Sequence, residues 1–211
     1  MYRHNTSRDL SNAIRHCADH GCRVINMSIG SDSSSSLIKD AIDYAVSKGV
    51  IPVAAAGNER LDGLPRRSYP AAYENVISVA SANKKDMPTW FSTIGVDGKD
   101  TTQPEVAISS LEYFYGCLPR PTSRSASPYG IMIGTSMAAP VVSGALLLWA
   151  EAMEKAGKMP IGEDVLKQAR SWLRRVSVDT NKNGWDPEIG YGVLLLPPNE
   201  NFSINGTNIS L

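Results

Sequence analysis

Cysteine is scarce in this 211-residue chain: Cys17, Cys22 and Cys117 are the only three, and no metal-ligand spacing relates them. An odd number cannot pair fully within one chain, so a disulfide framework and a cysteine metal site are set aside, and the three read as packing residues or free thiols. Neither sign of charge is in excess. With 21 Lys and Arg against 21 Asp and Glu, nothing in the composition draws the chain to nucleic acid or to an anionic membrane. No apolar run reaches the length of a membrane span, since the one over residues 141–149 is interrupted by Ser143 and Gly144 and stops before Glu151. No apolar region follows Met1-Tyr2-Arg3-His4-Asn5 either. No signal peptide is read there, and the expectation is a cytosolic chain, a processed product or a fragment.

What is present suffices for one core, with 42% hydrophobic residues in a length that suits one domain. Residues 11–20 carry Ala13, Ile14, Cys17 and Ala18 at helical spacing, Gly21 ends the helix, and residues 24–30 form a short apolar strand. The unit repeats. Leu37, Ile38, Ala41, Ile42, Ala45 and Val46 share one helical face, Gly49 stops it, and residues 50–56 read as a buried strand, with a third at 76–80. Helix, glycine, buried strand predicts an α/β fold with a parallel sheet flanked by helices. Residues 162–176 form a further amphipathic helix whose Arg170, Arg174 and Arg175 read as solvated charge at the negative end of the dipole.

The segment Gly134-Thr135-Ser136-Met137-Ala138-Ala139-Pro140 surrounds one hydroxyl with small residues and then gives way to an apolar run. A nucleophile opening a buried helix has this look: the free N–H groups and the dipole there favour developing negative charge. Thr135 can serve the helix start, and Pro140 is read as tolerated because first-turn positions need no intrahelical donor. The other reading is an ordinary Thr-Ser cap before a core helix. Parallel sheets bind ligands beyond the carboxyl ends of their strands, which directs attention to Ser28-Ile29-Gly30 and to Gly57-Asn58 after Ala55-Ala56.

These segments, in this chain order, resemble the subtilisin-like serine peptidases. So do residues 69–80, Phe91-Ser92, Val106-Ala107 and the closing Trp185-Asp186-Pro187 and Gly190-Tyr191-Gly192-Val193, so the resemblance covers residues 13–195. It implies a three-layer α/β/α domain and hydrolysis of peptide bonds through an acyl-enzyme on Ser136. It also implies an oxyanion donor in Asn58, and substrate contacts from Ser28, Ile29, Gly30, Ala55, Ala56, Gly57 and Thr135, with an extended polypeptide as partner. No cofactor is implied for the chemistry, and secretion is. The chain departs from the family at Ile108-Ser109, where Pro-Gly is usual, and at Val141, where a histidine is common; residues 111–127 read as an irregular loop.

Two family motifs, Asp-Thr-Gly and His-Gly-Thr-His, should precede residue 13, and neither is in the sequence. His4, His16 and His20 are the histidines; the last two fall within or at the end of the first helix, and a cation at a helix end is the plain explanation for His20. Residues 1–196 are therefore expected to be the C-terminal portion of a subtilisin-like domain without its N-terminal strands, the base and its carboxylate coming from an absent segment or a partner chain. A non-catalytic peptide-binding fragment or pseudoenzyme is the alternative. Asp179, Asn181 and Asn183 with Gly184 at the sixth place mimic the start of a calcium loop, but the twelfth place is Gly190, and a simple turn is the competing reading. Residues 197–211 read as a polar tail or linker whose Asn201, Asn205 and Asn208 triplets are glycosylation acceptors only in a secretory pathway.

Overall fold

The computed structural model describes residues 6–96, 103–109, 114–117 and 128–196, with the backbone of 202–204 and 207–209. Helix α1, Ser7–Asp19, begins earlier than the apolar spacing indicates, because Thr6 and Asp9 form a capping box. The Asp9 carboxylate accepts the Thr6 N–H at 3.1 Å, and the Thr6 hydroxyl accepts the Asp9 N–H at 3.3 Å. Strand β1 (Val24–Met27), helix α2 (Ser36–Ser47), strand β2 (Ile51–Ala55) and strand β3 (Ile77–Ala82) follow close to their expected places. Strand β4, Val106–Ser109, is next; then β5 (Phe114–Cys117) and β6 (Tyr129–Met132) pair as an antiparallel hairpin. Irregular loop is thus the wrong reading for 114–117, whose ladder partner lies beyond the local window; the remainder of 111–127 is outside the described residues. Helices α3 (Thr135–Lys155) and α4 (Asp164–Val176) precede the short strands β7 (Ser177–Val178) and β8 (Val193–Leu194). Beyond the expected end of the domain, β9 (Phe202–Ile204) and β10 (Thr207–Ile209) pair antiparallel.

The main sheet runs β1-β2-β3-β4-β8-β7, parallel except for β7. Side chains alternate across β1 and β2, so each face has its own core. Ile25, Met27 and Ala54 pack with Ile14 of α1 and Ile42 of α2. Ile51, Val53 and Ala55 pack with Val142, Leu146 and Trp149 of α3 and Leu173 of α4 on the other side. The result is the expected three-layer α/β/α arrangement. Trp149 and Trp172, ring centroids 6.3 Å apart, join α3 to α4, and full burial of one such aromatic is worth roughly 3 kcal/mol.

Helix α3 extends the apolar run at both ends: it is 21 residues long, with a window of mean hydropathy 1.4. By length and composition it could cross a membrane, which a run counted over 141–149 does not show. More than half of that window is buried inside the protein, and α3 serves as the central core helix.

Arg170 and Arg174 are not the solvated charges expected. Both engage Glu105, a fully buried carboxylate at the entrance to β4, with nitrogen–oxygen distances of 3.0 and 2.8 Å. Arg170 also donates to the Val76 carbonyl at 3.0 Å, and the Arg174 guanidinium lies 4.1 Å from the Tyr191 ring centroid.

Candidate functional site

The carboxyl ends of β1 and β2 open toward the N-terminus of α3, and the polar residues flagged by the sequence meet there. Gly134 caps α3 at φ +143, a backbone that side chains disfavour, and an added Cβ would lie 3.4 Å from Asn58 Nδ2. Gly57 turns the chain out of β2 at φ +106, where a Cβ would stand 2.6 Å from Thr93 Oγ1. Glycine at both positions lets the β2 loop and the helix start come together.

Asn58 is held by one side of its amide. Its Oδ1 accepts the Thr135 N–H at 3.0 Å and the Thr135 hydroxyl at 3.1 Å. With the oxygen occupied, Nδ2 is the end left to donate. Thr135 is a buried clamp, not the cap expected: its Oγ1 also accepts the Gly57 N–H at 3.2 Å, which ties the β2 loop to the first turn of α3.

Ser136 exchanges bonds with Ser28. The Ser28 hydroxyl donates to the Ser136 carbonyl at 2.8 Å, and the Ser136 hydroxyl donates to the Ser28 carbonyl at 3.4 Å. Pro140 explains the first of these. It lies inside α3, past the first turn where it was expected, and an α-helical residue there would donate its N–H to the carbonyl four back, Ser136. Proline leaves that carbonyl free, and Ser28 occupies it. Asn26 supports Ser28 through Nδ2 at 3.0 Å and accepts from Ser143 of α3 at 3.1 Å, so an apparently ordinary polar pair fixes β1 to the helix.

Ile29 and Gly30 continue past β1 as the exposed wall of a cavity of about 510 Å³, whose other sides include Leu10 and Ala13 of α1, Ile38 and Tyr69. Ala55 and Ala56, expected at the cleft, are buried. Ala55 belongs to the core under α3. Ala56 has both backbone groups engaged, its N–H with Val79 at 2.9 Å and its carbonyl with Gln103 Nε2 at 3.1 Å. The two alanines lie beneath the β2 loop that carries Gly57 and Asn58. Thr93, overlooked in the sequence, braces the loop by accepting the Glu59 N–H at 3.0 Å and donating to the Glu59 carboxylate at 2.7 Å; Phe91-Ser92 immediately before it was the signal available.

No base stands beside Ser136 among the described residues. His16 and His20 stack on each other at the end of α1, centroids 3.9 Å apart, with His20 Nδ1 2.8 Å from the His16 carbonyl. His4 lies outside the described residues. The calcium candidates form a turn: Asp179 accepts the Gly184 N–H at 2.6 Å, and Asn181 directs its amide nitrogen to Glu188 at 3.0 Å. These bonds hold the turn together without a cation, and no cluster of three acidic, His or Cys side chains suited to a metal occurs among the described residues.

A serine in the first turn of a helix at the carboxyl edge of a parallel sheet, beside a strand-end amide, is the arrangement of this site, and the sequence comparison gives the family it belongs to. Residues 3–192 match the Subtilase family, peptidase S8, and the chain belongs to that family. It is 37% identical over 145 residues to a thermophilic serine proteinase of Bacillus sp. (strain AK1), covering 69% of this chain and 32% of that protein. Fervidolysin of Fervidobacterium pennivorans is 33% identical over 187 residues, 84% of this chain and 25% of its own length. Among solved structures, sphericase superposes with a TM-score of 0.70 at 27% identity, covering 91% of this chain and 64% of the sphericase chain. The chain thus spans a quarter to a third of these curated relatives.

Proposed function

We propose that this chain is the nucleophile-bearing portion of a subtilisin-like serine endopeptidase. The observation that carries the reading is the pairing of Ser136 with an Asn58 amide whose oxygen is fixed by Thr135, so that its N–H is presented at the helix start. Ser136 attacks the scissile carbonyl, a histidine supplied from outside the described residues takes its proton and returns it to the leaving amine, and water then releases the acyl group. Asn58 Nδ2 and the Ser136 N–H, one of the first-turn amides without an intrahelical acceptor, meet the oxyanion. An extended peptide pairs along Ser28-Ile29-Gly30, one side chain entering the cavity beside them. The same kinship supports a working protein that acts outside the cell.

The missing Asp and His are assigned to an N-terminal segment of the same domain, and two surfaces are shaped for it. The outer edge of β1 has no strand partner among the described residues, and Val141, Leu147 and Leu148 form an exposed apolar stripe on α3. The match to sphericase leaves about a third of that chain uncovered. The alternative, a peptide-binding pseudoenzyme, rests on the absence of a base beside Ser136.

The 211-residue chain alone is expected to resist labelling by a fluorophosphonate, while co-expression with an in-frame upstream segment carrying the Asp-Thr-Gly and His-Gly-Thr-His motifs should give stoichiometric labelling at Ser136. Peptide binding without labelling in the co-expressed pair would favour the pseudoenzyme. Rapid labelling of the lone chain would reveal an overlooked base.

Asn58→Asp separates the two faces of the amide. A carboxylate oxygen still accepts from Thr135, so melting should shift little, whereas loss of the N–H should lower kcat by about 10²–10³, the size known for removing such a donor from a subtilisin. Steady-state kinetics of the co-expressed pair, with KM nearly unchanged, is the check. An equal fall in affinity would make Asn58 a binding or structural residue instead.

A further inference from the structure

The end of α1 carries chemistry that the peptidase reading does not use. The His20 N–H bonds back to the His16 carbonyl at 3.1 Å, Gly21 adopts φ +76, and the Cys22 N–H reaches across to the Cys17 carbonyl at 3.1 Å. This six-to-one closure over a left-handed glycine presses the residue after the glycine against the last-turn residue it bonds, a contact normally made by two apolar side chains. Here both are cysteines, at the two positions that this closure brings together. Cys22 is exposed, while Cys17 is half-buried against the core beneath α1 and α2.

We propose that Cys17 and Cys22 form a dithiol modification site, oxidised by low-molecular-weight disulfides to an intramolecular bond that clips the end of α1. Cys22 begins the exchange because it is the accessible sulfur; burial first, and then the neighbouring Cys22, raises the Cys17 thiol above its ordinary range. The Cys22 thiolate attacks one sulfur of the small disulfide, forming a mixed disulfide and expelling one thiolate. Cys17, losing its proton to solvent, then attacks the Cys22 sulfur and expels the second. The two cysteines lose two electrons and two protons, and the small disulfide becomes two thiols. Cys117, exposed on β5 in a separate hairpin, takes no part. Such a bond persists where the surroundings are oxidising.

The test uses the reduced full chain in mixtures of oxidised and reduced glutathione, quenched with acid, alkylated and mapped by mass. Its thiols should fall from three to one, with Cys17 and Cys22 in a single linkage reversed by dithiothreitol. Because the pair is preorganised, the glutathione adduct at Cys22 should be transient, and Cys17→Ser should raise its occupancy by about tenfold or more. Cys22→Ser, at an exposed site that leaves the fold undisturbed, should make Cys17 react at least about tenfold more slowly, since attack no longer starts at the accessible sulfur. A persistent adduct at Cys22 in the unsubstituted chain, pairing of either residue with Cys117, or three free thiols under excess oxidised glutathione would each overturn the proposal.

Discussion

Ser136→Ala, in the chain joined by its upstream segment, should lower kcat by about 10⁶-fold, the loss seen when a subtilisin is deprived of its nucleophile. Peptide affinity should stay within about twofold, because the hydroxyl does little to hold a substrate backbone. The fold should also be unaffected. The side chain makes one hydrogen bond among the described residues, a long one of 3.4 Å to Ser28, whereas the shorter bond from Ser28 ends on the Ser136 backbone, which alanine retains. Melting should therefore shift by no more than about 0.5 kcal/mol, as for a change remote from core and network. Kinetics and fluorescence anisotropy on the same preparation check both halves. Turnover of even one part in 10² would assign the nucleophile elsewhere, since residual catalysis by the remaining machinery falls far below that.

Why the motif around Ser136 could be read, and its setting could not, follows from the range over which each is encoded. Small residues, a hydroxyl and an apolar run within residues 134–149 are contiguous, so the helix and its start are visible locally. The Ser28–Ser136 exchange joins residues 108 apart, and no window of sequence displays it. Pro140 shows how the two scales interact: its place within α3 depends on where the helix begins, and the use of the carbonyl it frees depends on a strand far earlier in the chain. Thr135 was visible as a polar residue at a helix start, yet its hydroxyl is drawn from capping to Asn58 and Gly57 because Gly134 lets the β2 loop approach. Ala55 and Ala56 rest on the resemblance alone, as the end of the strand leading to Asn58. Strand alternation puts Ala55 with Ile51 and Val53 on the α3 side of a strand that is buried on both faces.

The core faces were legible for the same reason that the charges were not. Apolar spacing over residues 37–48 identifies the buried stripe of α2 because hydrophobic burial has no directional partner to find. A buried carboxylate has one. Arg170 and Arg174, four apart on α4, resemble the solvated face of any helix until Glu105, 69 residues before Arg174, is brought beneath them by β4. Exposure then divides the two cations. The Arg170 side chain is 16% exposed and that of Arg174 is 40% exposed. Burial pushes the Arg170 guanidinium below its ordinary value, with Glu105 opposing that shift.

Glu105→Gln should accordingly destabilise the 211-residue chain by about 3–5 kcal/mol, the cost of leaving a buried charge without its partner. The amide keeps the shape of the carboxylate but not its charge, and it turns an NH₂ toward a guanidinium that can only donate. Arg174 relieves its own share through water and the Tyr191 ring, so the burden falls on Arg170, which also ties α4 to the Val76 carbonyl ahead of β3. Against a total stability of roughly 5–15 kcal/mol for a domain, the loss is large enough to appear as an early urea midpoint with an unchanged slope. Replacing both partners distinguishes charge from packing. Glu105→Met with Arg170→Leu removes the isolated charge and should cost less than Glu105→Gln alone, because apolar groups of similar volume substitute for a buried ion pair at little net penalty. Added salt should change none of these differences much, since a pair sealed from water is weakly screened. A cost under about 1 kcal/mol for Glu105→Gln, or a double replacement worse than the single, would mean that water reaches the carboxylate and that α4 is held by its apolar face alone.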